Sequence, residues 1–128
     1  MVDPVVGRLL KSMAPHKRLV AWKECHALVL AVYKATESFP KHELYGLTSQ
    51  LRRAAFSAAA NIVEGVSRKG RNELRHFLDI SLGSLAEVEY GLEVAGSLRY
   101  IKQEMCVTLE SQYRRAQFLT WKLKTSLR

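Results

Sequence analysis

Cysteine and long apolar runs are both scarce in this 128-residue chain, and each scarcity removes a class of protein. The two cysteines, Cys25 and Cys106, stand singly in apolar helical patterns rather than as Cys-x-x-Cys. A disulfide framework or zinc knuckle is therefore not expected, and two buried reduced thiols point to the cytoplasm. The longest weakly apolar run, Ala54 to Val63, is interrupted by Ser57 and Asn61, and a spanning helix needs about 18 or more apolar residues. The start Met1-Val2-Asp3-Pro4 lacks the basic-then-apolar order of a secretory signal. A soluble protein with no membrane partner is the expectation. Strand signals are missing as well, since no stretch alternates apolar and polar residues for long.

Acidic residues are the next deficit. Against 20 lysines and arginines there are 12 aspartates and glutamates, leaving a net charge of +8. The surplus is uneven: +3 over residues 1–18, neutral over 19–40, +4 over 41–71, −3 over 72–100 and +4 over 101–128. An anionic partner and simple solubility both fit this distribution.

Helical periodicity fills the rest of the chain, which is long enough for a single domain with its own core. Residues 1–18 read as a mobile basic leader and 19–128 as the folded domain. A first helix is expected over about Leu19–Ser38, with Trp22, Cys25, Val29, Val32 and Tyr33 at helical spacing. Phe39-Pro40 stops it. A second helix follows a loop around Gly46, with Thr48 or Ser49 as its N-cap, and breaks at the basic turn Arg68-Lys69-Gly70-Arg71. Asn72 is the expected cap of a third helix, and Glu73 complements its dipole. Leu74, Leu78, Ser81, Leu85, Val88, Leu92 and Ala95 then step alternately by four and three, the seam spacing of a left-handed bundle. Met105, Leu109, Gln112, Ala116, Leu119 and Leu123 repeat the stepping in a fourth helix over about Lys102–Leu127. The fold class is all-α, an up-and-down antiparallel four-helix bundle. Ile80, Leu82, Phe118 and Trp121 lie beside the seams, so the apolar sector is wider than one core uses and self-association is its natural outlet.

Two sets of side chains are candidates for binding. Arg52 and Arg53 stand beside a small-residue helical surface, Ala54, Ala55, Ser57, Ala58, Ala59 and Ala60, which suits close approach of another helix. With Arg68, Lys69 and Arg71 they make a candidate anion rim; the alternative is that one of the pair meets Glu64 or an acid of the third helix. Arg114, Arg115 and Lys122, with Lys124 and Arg128, form a second basic set or a solvated face. Asn61 and Glu64, one turn apart, are expected to form a structural polar clasp. Aromatic residues are not interleaved with these clusters, so base stacking is not indicated.

Catalytic machinery and cofactors are not expected. Glu73-x-x-His76 has the spacing used in di-metal carboxylate bundles, but it occurs once and encloses Arg75. His16, His26 and His42 have no partner spacing, and no phosphate loop or Gly-x-Ser-x-Gly elbow is present.

A set of short motifs in order carries a resemblance. Trp22-Lys23 with His26, Val32-Tyr33, Phe39-Pro40, Tyr45-Gly46-Leu47, Gln50-Leu51-Arg52-Arg53-Ala54-Ala55, Asn61-Ile62-Val63-Glu64-Gly65, Phe77-Leu78 and Gly83-Ser84-Leu85-Ala86-Glu87 resemble the bacterial four-helix-bundle family whose members include proteins encoded in intervening sequences of large-subunit ribosomal RNA genes. The likeness is close over Leu19–Tyr100 and looser in the last helix. It implies a ring-like homopentamer, with Trp22, Tyr45, Gln50, Ala55, Asn61 and Glu64 in structural or interface roles. A more distant relative, the accessory variability determinant of diversity-generating retroelements, pairs with a reverse transcriptase and binds nucleic acid. RNA or DNA, and a reverse transcriptase or another nucleic-acid enzyme, are thus implied partners. Two departures stand out: a longer basic leader, and Ala58-Ala59-Ala60 where an Ile-Pro pair is common, which predicts a straighter second helix. The function expected is a non-enzymatic, homo-oligomeric, nucleic-acid-binding or accessory bundle. The alternative is a protein-binding scaffold using the small-residue surface and the surplus apolar sector.

Overall fold

The computed structural model describes residues 15–127 together with Pro4. Its four long helices are α1 (Val20–Thr36), α2 (Leu47–Ser67), α3 (Arg71–Ser97) and α4 (Gln103–Thr125), and no strand occurs among the described residues. Short links force an up-down-up-down course. Each helix packs on its sequence neighbours, and α1 on α4 closes the square. Pro15–Arg18, assigned above to the leader, forms a 3-10 turn instead, with the His16 ring edge-on to Trp22 at 4.8 Å. The remainder of the leader, Pro4 aside, and Arg128 lie outside the described residues.

The third helix buries the stripe its spacing predicts. Leu78, Ser81, Leu85, Val88 and Ala95 are buried, with Leu74 and Leu92 packed at the edges. Facing it, α2 buries Leu51, Ala54, Ala55, Ala58, Ala59 and Ile62, and it runs unbroken through the alanines. The small side chains let the two backbones approach. Ser81 Oγ donates to the Ala58 carbonyl at 2.6 Å, and the hydroxyls of Ser57 and Ser84 meet at 2.8 Å. A Cβ on Gly91 would lie 2.6 Å from Leu51 Cδ2, so a larger residue there must displace the buried Leu51 side chain. The small-residue surface is thus a junction inside the bundle, which corrects its use as a docking face for a partner protein.

The α4 seam is rotated from the predicted one. Leu109, Tyr113, Ala116 and Thr120 are buried, whereas Met105 is 43 % exposed and Gln112 only half-buried. Two polar side chains can take core positions because their hydroxyls are accommodated. Thr120 Oγ1 lies 3.5 Å from Cys25 Sγ, and the Tyr113 phenol, its pKa raised by burial and by Glu89, lies beside that carboxylate. Burial pushes the Cys25 thiol up to about 11, consistent with a packing role. In α1, Leu28 joins the core, while Tyr33 turns outward.

Neither predicted helix cap forms. At the start of α2 no side chain of Thr48 or Ser49 caps; Glu43 Oε1 accepts the Leu47 N–H at 3.1 Å. Tyr100 Oη donates to the other oxygen of Glu43 at 2.9 Å, clipping the α1–α2 loop to the α3–α4 loop. These two donors hold the Glu43 carboxyl below its ordinary value, the backbone N–H contributing most. At α3, Gly70 turns the chain at φ 100° and the helix begins at Arg71, so Asn72 is already inside it.

Candidate nucleic-acid interface

The up-down course brings the start of α1, the end of α2, the start of α3 and the end of α4 to one pole of the bundle. Lys17, Arg18 and Lys23 arrive there with α1, Arg68, Lys69, Arg71 and Arg75 with the α2–α3 turn, and Lys122 and Lys124 with α4. The neighbouring acids are fewer, and several are engaged. Glu64 pairs with Arg68 at 3.0 Å, Glu24 with Arg115 at 2.6 Å, and Asp79 with Lys124. The Arg68 guanidinium also lies 5.4 Å over the Phe77 ring, which fixes the turn against α3. Burial and Lys17 lower the His16 pKa, which disfavours its charged form. Lys69, Arg71 and Lys122 are exposed. Exposed ion pairs are each worth only about 0–1 kcal/mol, so phosphate can compete for their cations.

The predicted cations do not all converge. Arg52 and Arg53 sit near the opposite end of α2, about 24 Å along the helix from Arg68 at 1.5 Å per residue. Arg52 is committed within the chain: Nε donates to Thr36 Oγ1 at 2.8 Å, Nη2 to the Tyr33 carbonyl at 3.4 Å, and the guanidinium lies 4.8 Å over the Tyr33 ring. It closes the carboxyl end of α1, where the helix dipole favours a cation. This overturns the single anion rim of Arg52, Arg53 and the basic turn, and the pairing of Arg52 with an acid. Arg53 is exposed beside a shallow cleft of about 380 Å³ lined by Gln50, Ser57, Ser84 and Glu87. Arg114 and Arg115 occupy the side of α4, paired with Glu110 and Glu24 respectively.

The remaining predicted positions separate by burial. Ala55 is fully buried, and Trp22 is half-buried and stacked on His26 at 4.9 Å. Tyr45 is 93 % exposed and stands clear of the core. The Asn61–Glu64 clasp is not formed: Asn61 Nδ2 donates to the Ser57 carbonyl at 2.8 Å, and Glu64 turns to Ser67 and Arg68. Their spacing permits contact, but each finds a nearer partner one turn away. Glu73 and His76 are both exposed, and no group of three or more metal-ligating side chains occurs among the described residues. No helix there is long and apolar enough to cross a membrane.

The family model described as 23S rRNA-intervening sequence protein matches residues 17–121. The chain belongs to that family. No curated protein matches it. Among solved structures, a protein with unknown function from the S23 ribosomal protein family of Bacteroides thetaiotaomicron VPI-5482 is similar at 21 % identity and a TM-score of 0.74, covering 82 % of this chain and 98 % of that one. At that identity the likeness concerns the fold, which this member of the 23S rRNA-intervening sequence protein family shares with nearly the whole of its neighbour. Sequence reading missed the pole because charges were summed along segments; summing them by helix end, given the up-down course, would have found it.

Proposed function

We propose that this chain is a non-enzymatic, cytoplasmic, homo-oligomeric bundle that holds the phosphate backbone of RNA or DNA at its basic pole, as an accessory to a nucleic-acid enzyme. The observation that carries this reading is the meeting of basic residues from the start of α1, the α2–α3 turn and the end of α4 at one pole. Phosphate contacts need cations on a shared surface rather than a built pocket, and long exposed lysines and arginines supply them. Repetition of the pole around a ring, five subunits on the family resemblance, makes weak single contacts multivalent. A reverse transcriptase is the enzyme partner that resemblance suggests. Phosphate contacts carry no sequence information, so binding through them is sequence-tolerant.

The test is whether the full chain, purified with and without nuclease, carries nucleic acid, read as the 260/280 nm absorbance ratio alongside the mass of the particle. Nucleic acid that elutes with the untreated protein and is lost at high salt supports the reading. Protein free of nucleic acid that also fails to bind added RNA at low salt sinks it.

A further inference from the structure

Two solvent-facing stripes run along the outside of the bundle at the same alternating spacing as its core seams. On α3 it is Ile80, Gly83, Glu87 and Tyr90; on α4 it is Val107, Ser111, Arg114, Phe118 and Trp121. All nine are exposed, with Tyr90 at 67 % and Val107 at 62 %. Each stripe is apolar at its ends and carries one charge near its centre, of opposite sign on the two helices. Glu87 has no ion pair among the described residues, and Arg114 meets only Glu110 of its own helix. The wider surroundings are complementary too, since residues 72–100 sum to −3 and residues 101–128 to +4.

Gly83 adds a separate argument. Glycine weakens the interior of a helix relative to alanine, so its presence there calls for a reason. At Gly65 and Gly91 the reason is internal, because a Cβ would lie 2.8 Å from Leu74 Cδ1 and 2.6 Å from Leu51 Cδ2. At Gly83 a Cβ would meet nothing within 4 Å. Among the described residues no neighbour requires that bare backbone, and it suits a bulky side chain approaching from outside.

We propose that these two faces dock on one another between copies of this chain, the α3 face of one copy on the α4 face of the next, with Glu87 against Arg114 and an α4 aromatic over Gly83. This rests on the homo-oligomer reading above and names its surfaces. The contact joins two different faces, so it is heterologous, and its repetition gives a ring when the rotation between copies closes. Burial of the apolar ends of the two stripes supplies the attraction, and the central charges set register and partner choice. Arg114 then belongs to the subunit contact rather than to the nucleic-acid surface.

Light scattering on the nuclease-treated full chain tests it. The unaltered protein is expected at a multiple of the 14.5 kDa chain mass. Glu87→Arg and Arg114→Glu are each expected to bring it to a single-chain mass with helical circular dichroism unchanged, and the double variant to regain the original mass. Gly83→Leu, whose side chain enters open space in the single chain, is expected to dissociate the assembly. A multimer whose mass survives both charge reversals and Gly83→Leu overturns the face assignment, and so does a double variant that stays monomeric. Unaltered protein that is monomeric at every concentration overturns the self-association reading itself.

Discussion

Arg52 Nε donates a 2.8 Å hydrogen bond to Thr36 Oγ1, so one of the two arginines expected in an anion rim closes a helix of its own fold. The Thr36 hydroxyl in turn points back to the carbonyls of Val32 and Tyr33, at 2.8 and 3.1 Å. Arg52→Ala is expected to destabilise the chain by about 1–2 kcal/mol, because it removes a charged hydrogen bond and a cation at a helix carboxyl end. RNA affinity of the folded variant should stay within about twofold, well under the tenfold that 1.4 kcal/mol represents. Urea melts and anisotropy on the same preparation separate the two effects.

At the opposite pole the expected pattern is reversed. Lys69 and Lys122 are exposed, and neither side chain holds an ion pair among the described residues. Lys69→Ala and Lys122→Ala should leave stability within about 0.5 kcal/mol of the original. Each should weaken RNA binding similarly across unrelated sequences. Each should also flatten the dependence of log affinity on log salt by about 0.7 for every phosphate of a single strand that the variant no longer engages. Titrations against two RNAs of different composition check both statements.

The clip between Glu43, Leu47 and Tyr100 makes a contribution to stability that depends on pH. The Glu43 carboxyl is lowered in the folded chain by the Leu47 N–H and the Tyr100 hydroxyl. Its contribution is therefore complete above the ordinary value of 4.5 and is lost as pH falls through the lower folded value. Glu43→Gln should melt at a lower temperature than the original chain at neutral pH. Well below 4.5 the difference should narrow. Melting curves of the two proteins over an acid series read this directly.

Close helix approach gives a fourth test. Gly91→Ala places a Cβ 2.6 Å from Leu51 Cδ2, and Leu51 is buried between α2 and α3. The expected cost is about 1–3 kcal/mol, typical of overpacking a filled core. Urea denaturation of that variant and of Leu51→Ala/Gly91→Ala shows whether the clash or the missing side-chain packing dominates.

The regular stripe from Leu74 to Ala95 was legible because the residues that face the core there are also the most apolar ones at each turn. The fourth helix was misphased for the opposite reason. Its core positions include Tyr113 and Thr120, while the more apolar Met105 is left in solvent. Caps were misplaced at Thr48, Ser49 and Asn72 because the work falls to groups outside the helices, the Glu43 carboxylate and the turn at Gly70. The role of Arg52 could not be read locally, since Thr36 and Tyr33 reach it across the α1–α2 loop. Asn61 and Glu64 illustrate a limit of spacing arguments: more than one partner lies a turn away from each, and the chain uses Ser57 and Arg68. The basic pole was implicit in the expected up-and-down course but is hidden when charge is summed along consecutive segments, because its residues come from both halves of the sequence.

The most direct test of the central claim is fluorescence anisotropy of a labelled single-stranded RNA with nuclease-treated protein, titrated across a salt series. Binding that is tight at low salt and falls along a straight log–log line, with a slope equal to about 0.7 times the number of phosphates engaged, is the predicted result. Anisotropy that stays flat at the lowest salt, with the protein folded, contradicts the assignment of the basic pole to nucleic acid.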